Sequence, residues 1–223
     1  DIMRRPQPID IEAFLDHHFY PEVPVIIENV TKDWLALQNW ADGSLPSQLL
    51  SDNIDVNKLW FQTNTNYLNE DIIIPELIAA VTSDHYSFVR ENNMRLWVNY
   101  RDHLTPFHAD TNGLYVFNVQ VFGKKHWQII DPNAPLKLYS FTQFPHLIYN
   151  NDLPKDILPF CYEFDLNPGE MLFLPPYWYH KVISVDDVNI NWVGTKKNTH
   201  TNRLHNREKQ LFRALLKLYR FKG

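Results

Sequence analysis

Leu114-Tyr115-Val116-Phe117-Asn118-Val119-Gln120-Val121-Phe122 is the stretch that decides the fold. Its odd positions, Tyr115, Phe117, Val119 and Val121, are all apolar, while Asn118 and Gln120 interrupt the even face between Val116 and Phe122. Alternation with a period of two marks a β-strand with two distinct faces. An unpaired buried amide costs about 1–3 kcal/mol, so Asn118 and Gln120 need partners. Cross-strand bonding or bridging water would supply them, and so would a polar pocket on that face.

The texture on either side is the same: short strands broken by turns. Upstream lie Arg95 to Tyr100 and Thr105 to Asp110. Downstream, Gly123 breaks the chain before Lys125 to Ile130, and Tyr162 to Leu166 follows a long irregular stretch from Pro135 to Pro159. Asn167-Pro168-Gly169-Glu170 carries Pro and Gly at the central positions of a type II turn. Met171 to Leu174, Lys181 to Ser184 and Val188 to Val193 are further strands. Before residue 95 the reading is mixed. Asp10 caps a helix running to Phe19, Val25 to Ile27 is a strand after Pro24, and Trp34 to Trp40 holds about one helical turn. Ser44 to Leu50 is a helix, Asp55 to Gln62 a strand, and Pro75 opens a helix over Glu76 to Val81. Many short strands behind a helical front end predict a barrel or sandwich.

Composition narrows the class. The chain of 223 residues is long enough for a sizeable core. With 44% hydrophobic and 21% charged residues it reads as an ordinary globular protein. A net charge of −5 argues against non-specific nucleic-acid binding. The single cysteine, Cys161, excludes a disulfide framework or a cysteine-rich zinc module. No apolar run approaches the roughly 20 residues of a membrane span, and no signal peptide is visible, so an intracellular, cytoplasmic and soluble protein without membrane partners is expected. Asn29-Val30-Thr31 is then a chance match to the glycosylation pattern.

Two residues stand out for chemistry. His108 and Asp110 lie two apart in an extended segment, so both side chains leave one face. An imidazole and a carboxylate converging on one point suit a divalent metal, iron in particular if a second histidine joins them.

Three stretches together resemble a known family. Pro168-Gly169-Glu170-Met171-Leu172-Phe173-Leu174-Pro175-Pro176-Tyr177-Trp178-Tyr179-His180 is similar to the strand carrying the second metal histidine in JmjC-type and cupin-like 2-oxoglutarate oxygenases. Thr105-Pro106-Phe107-His108-Ala109-Asp110 resembles the strand with that family's His-x-Asp pair. Pro24-Val25-Ile26-Ile27 with Trp34 and Trp40 resembles its amino-terminal pattern. The resemblance implies a mostly β fold: a double-stranded β-helix (cupin/jelly-roll) core over 95–195, an amino-terminal α/β part over 1–94, and a carboxy-terminal loop and helix over 196–223. It implies His108, Asp110 and His180 as ligands of Fe(II), with 2-oxoglutarate and O2 as cosubstrates. Lys125 would pair the distal carboxylate, with Asn118, Thr105 and Asn191 as further cosubstrate contacts. A tyrosine upstream often completes the set, with Tyr100 and Tyr67 as candidates. The expected activity is hydroxylation of a protein or peptide side chain. The alternatives are N-methyl-lysine or N-methyl-arginine demethylation, a small-molecule or RNA substrate, and a non-catalytic cupin-like binding protein. Glu208 to Tyr219 reads as a helix whose broad apolar face would pack on its own barrel or on a partner; several such hydroxylases dimerise through carboxy-terminal helices, so the resemblance makes a homodimer one of the two expectations.

The remaining histidines are expected to have no direct role: His17 and His18 lie at a helix end, His126 is solvated, His200 and His205 lie in a polar tail, and His103 sits on the approach to the metal strand. The aromatics of Pro135 to Pro159, namely Tyr139, Phe141, Phe144 and Tyr149, are expected to offer contact area to an extended substrate chain.

Overall fold

The computed structural model describes residues 2–6, 9–40, 60–64, 71–81, 94–110, 113–135, 138–139, 146–147 and 153–197. The helices expected at 44–50 and 208–219, the dimer contact of the latter, and Tyr67, Phe141, Phe144 and Tyr149 lie outside the described residues.

In chain order the strands are β1 (Arg4–Arg5), β2 (Val25–Ile27), β3 (Trp60–Asn64), β4 (Met94–Tyr100), β5 (Leu104–His108), β6 (Leu114–Phe122), β7 (Lys125–Ile130), β8 (Leu138–Tyr139), β9 (His146–Leu147), β10 (Cys161–Leu166), β11 (Met171–Leu174), β12 (Tyr179–Ser184) and β13 (Val188–Lys197). The helices are α1 (Ile11–Phe14), α2 (Ala36–Asn39) and α3 (Glu76–Val81). The strands form two sheets, ordered β1-β2-β11-β6-β13-β4-β3 and β10-β7-β12-β5-β9-β8. All pairings are antiparallel except β1 with β2. This mostly β, two-sheet arrangement is that of a cupin or jelly-roll core.

Three apolar layers follow from the alternation of the strands. Tyr115, Phe117, Val119 and Val121 of β6 join Phe173 and Trp192 on the outer face of the seven-stranded sheet, where Phe14 of α1, Ile78 of α3 and Trp34, just ahead of α2, cover them. Trp34 stands edge-on to Trp192, ring centroids 5.5 Å apart, and donates its indole N–H to the Ile73 carbonyl at 2.6 Å. Between the sheets, Ile26, Val116 and Leu172 meet Trp127, Ile129, Phe164 and Val182. A third, smaller cluster of Phe107, Ile130, Ile157 and Tyr179 covers the far face of the six-stranded sheet.

Some boundaries differ from the sequence reading. Asp10 does cap a helix, its carboxylate accepting from the Glu12 N–H at 3.0 Å, but α1 ends at Phe14 and the chain continues as a π turn over Leu15–Phe19. The stretch 135–159 is not uniformly irregular, because β8 and β9 add to the sheet edge beside β5. β13 runs past Val193 to Lys197, since β6 offers paired backbone as far as Leu114. Among the described residues, no helix is long and apolar enough to cross a membrane.

Gly123 turns β6 into β7 at φ +67°, and a Cβ there would sit 2.2 Å from the Val188 carbonyl oxygen. Backbone cannot yield as a side-chain tip can. Gly123→Ala is expected to destabilise the fold by about 2 kcal/mol or more, lowering the melting midpoint by roughly 4–8 °C. A thermal melt checks this, and an unchanged midpoint would contradict the tight turn.

Candidate metal and cosubstrate site

Strand pairing brings the two histidines together. β5 and β12 run antiparallel with His108 and His180 as direct partners, and their ring centroids are 4.2 Å apart. Asp110 lies two residues past His108, just beyond the end of β5. Its Oδ2 is 4.0 Å from His180 Nε2, and one ligand atom from each of the three residues falls within 4.8 Å of the others.

The backbone selects the tautomer that a metal needs. His108 Nδ1 donates to the Pro106 carbonyl at 2.8 Å, and His180 Nδ1 to the Trp178 carbonyl at 3.1 Å. A carbonyl can only accept, so the proton sits on Nδ1 in both rings, and each Nε2 carries the lone pair through which a neutral imidazole binds a metal. His180 is buried, its ring 5.8 Å from that of Trp127, whereas the Asp110 side chain keeps about a third of its exposure. The trio therefore opens to solvent on the carboxylate side.

A cavity of about 110 Å³ runs from these three residues between the sheets, lined also by Thr105, Asn118, Lys125, Asn191, Trp97 and Asn99. All four residues expected to hold the cosubstrate thus line the same cavity as the metal trio. A register shift in the β5–β12 ladder explains one of them. His180 pairs with His108, but Val182 pairs with Thr105, so β5 carries an extra residue. The bulge reverses the face, and Thr105 and His108, three apart, both reach the cavity while Phe107 packs on the other side.

Lys125 closes the far end. It is 4% exposed, and its Nζ donates to Oδ1 of Asn99 and Oδ1 of Asn191. Asn191 in turn donates from Nδ2 to Asn118 Oδ1 at 3.2 Å. Among the described residues no carboxylate pairs with Lys125. Burial pushes the ammonium down to about 7. The adjacent Lys124 is solvated and pairs with Asp165 at 3.2 Å. Along β7, Lys125 is four residues from Ile129, the partner of His180, or about 13 Å of strand, part of which the lysine stem spans.

Asn99, which lines the cavity and accepts from Lys125, was not singled out by the sequence reading. Tyr100, the tyrosine considered instead, packs against the outer apolar cluster, because neighbouring residues of β4 face opposite ways. An amide in mid-strand was the available signal, as it was for Asn118. His103 sits beside the site, Nε2 3.4 Å from Thr105 Oγ1, held below its ordinary pKa by burial first and by Lys125 second. His126 points away from the cavity to Asp165, 2.9 Å from Nδ1 to Oδ1.

The model of a family described as "Cupin-like domain" matches residues 62–198. The chain belongs to this cupin-like family. Among its cupin-like relatives is the mouse (Mus musculus) 2-oxoglutarate and iron-dependent oxygenase JMJD4, 28% identical over 163 residues, which are 65% of this chain and 34% of that protein. Lysine-specific demethylase 8 of Xenopus tropicalis is 23% identical over 219 residues, 79% of this chain and 48% of that protein. The chain thus spans less than half the length of either relative. The X-ray structure of E. coli ycfD shares the cupin-like fold with a TM-score of 0.54 at 14% identity, covering 86% of this chain and 55% of that one.

Proposed function

We propose that the chain is an Fe(II)- and 2-oxoglutarate-dependent oxygenase that hydroxylates a side chain of a protein or peptide. One observation carries this reading. Two Nε2-presenting histidines and a carboxylate converge at one end of a cavity whose other end is a buried lysine without a carboxylate partner among the described residues. Two imidazoles and one carboxylate are the donor set of a non-haem Fe(II) centre with open positions. The buried Lys125 ammonium, facing this cavity, fits the second carboxylate of a short dicarboxylic 2-oxo acid.

When bound, iron and 2-oxoglutarate with O2 would supply the oxidising chemistry, coupling decarboxylation of the cosubstrate to hydroxylation of a C–H bond. The chain's own part is placement. Pro106 and Trp178 hold the proton on Nδ1 of each histidine. Lys125 holds the distal carboxylate, Thr105 and Asn118 line the path between, and Asn191 steadies both Lys125 and Asn118. Trp127 and Val182 exclude water from the buried side. The mouse relative's name supports this chemistry. That of the frog relative favours a second reading, demethylation, in which a hydroxylated N-methyl group leaves as formaldehyde.

The electrostatics of Lys125 give a pH dependence. In the cosubstrate-free protein the lysine titrates at about 7, and a bound carboxylate favours its protonated form. Below pH 7 the cation is already present. Above pH 7 binding must first take up a proton, so affinity is expected to fall about tenfold per pH unit until the raised bound-state value is reached. Calorimetry at pH 8 in two buffers of different ionisation heat should register close to one proton taken up per 2-oxoglutarate. No uptake would mean that Lys125 does not meet the anion.

The substrate class is tested by incubating the iron-loaded protein with peptide pools and 2-oxoglutarate and reading masses. A gain of about one oxygen supports hydroxylation, and loss of a methyl group supports demethylation. Shortening the 135–159 segment is expected to stop peptide modification while sparing uncoupled cosubstrate turnover. If only free metabolites or nucleic acids stimulate turnover, the polypeptide reading falls.

A further inference from the structure

We infer that Asn99 positions the distal carboxylate of the cosubstrate and, with Lys125, sets the preference for a dicarboxylic over a monocarboxylic 2-oxo acid. This rests on the cosubstrate reading above and extends it to a residue outside the expected set. Asn99 lies on β4, opposite Asn189 of β13, with 3% exposure, and its side chain lines the cavity at the Lys125 end.

Of the cavity amides among the described residues, Asn118 does not touch Lys125, and Asn99 combines an oxygen on Lys125 with a nitrogen that has spent neither donor. A lysine ammonium has three N–H donors. Two go to Asn99 Oδ1 and Asn191 Oδ1, which leaves one for an incoming carboxylate oxygen. Asn191 spends one of its two amide N–H donors on Asn118. Asn99 Nδ2 has no acceptor among the described residues, so it remains a donor at the spot where the anion arrives.

The choice of residue type follows. A carboxylate at position 99 would accept from Lys125 equally well, but it would neutralise the lysine and repel the anion. An aliphatic side chain would leave one ammonium donor unpaired. An amide is uncharged and bifunctional: it aims the ammonium through its oxygen and grips the carboxylate through its nitrogen. A 2-oxo acid with the same chelating head but no second carboxylate has nothing for this pair to hold.

The test is equilibrium binding to the Fe(II)-loaded chain without oxygen, comparing 2-oxoglutarate with 2-oxobutyrate. Asn99→Asp keeps the shape and replaces a donor with a negative acceptor. It is expected to weaken 2-oxoglutarate at least about 100-fold and 2-oxobutyrate by less than about threefold, so that the preference collapses. Asn99→Ala should cost about tenfold on 2-oxoglutarate alone, and it carries the test if the aspartate variant does not fold. A structural role for Asn99 would instead weaken both acids alike, and unchanged 2-oxoglutarate binding in both variants would equally overturn the assignment while leaving the oxygenase reading intact. A wild-type chain that binds iron but neither acid would overturn the cosubstrate reading and this inference with it.

Discussion

Replacing Asp110 by alanine is expected to leave a folded chain that no longer retains Fe(II) and forms no succinate. The carboxylate is the one charged ligand of the three, and it stands 4.0 Å from His180 Nε2 at the open side of the site. Loss of a group that merely orients a metal ligand costs roughly 10–100-fold in affinity, and loss of a ligand itself should cost more. The Asp110 side chain is about a third exposed and lies past the end of β5, so no core packing goes with it. His108→Ala and His180→Ala should abolish iron binding in the same way. His180 is the less neutral change, because its ring fills space beside Trp127. Equilibrium dialysis of iron together with a thermal melt separates the two roles. Full turnover by a variant would remove that residue from the metal set, and global unfolding would mark it as a core residue instead.

Lys125→Ala is the second large effect, and it falls on the cosubstrate. Removing one member of a buried charge pair costs about 3–5 kcal/mol, or roughly 150- to 5000-fold in 2-oxoglutarate affinity. Iron binding should be nearly unchanged, since Lys125 lies four residues along β7 from the partner of His180. Folding should shift by no more than about 2 kcal/mol. Relief from burying a cation offsets the two amide oxygens, on Asn99 and Asn191, that lose their donor. Lys124→Ala is the internal control: its partner is the half-solvated Asp165, and such surface pairs contribute little. Equal effects from the two lysines would refute the assignment of Lys125.

What was legible in the sequence was what a single strand records. The alternation of 114–122 gave β6 its two faces, and the i, i+2 spacing of His108 and Asp110 placed them on one side. Placing Lys125 and Asn191 depended on resemblance, whereas Asn118 also stood out as an amide in the middle of an apolar strand, and all three line the cavity. What could not be read depends on partners. Thr105 and His108 differ in parity and would face opposite ways in a regular strand, and only the β5–β12 bulge brings both inward. Trp97 and Asn99 alternate with Leu96, Val98 and Tyr100, and large side chains occupy both faces of β4, so its inner face is settled only by pairing with β13. β8 and β9 are two residues each, too short to leave a periodic signal, and exist as strands because β5 offers β9 an edge and β9 offers one to β8. The π turn at 15–19 follows α1 without a proline or glycine to announce it.

The most direct measurement is an anaerobic titration of the Fe(II)-loaded chain with 2-oxoglutarate, followed by visible absorbance. The geometry of His108, Asp110, His180 and Lys125 predicts a weak charge-transfer band that saturates at about one cosubstrate per chain. It predicts no band in Asp110→Ala and a strongly right-shifted titration in Lys125→Ala. A folded wild-type chain that binds no iron, or binds iron and gives no band at any 2-oxoglutarate concentration, would contradict it.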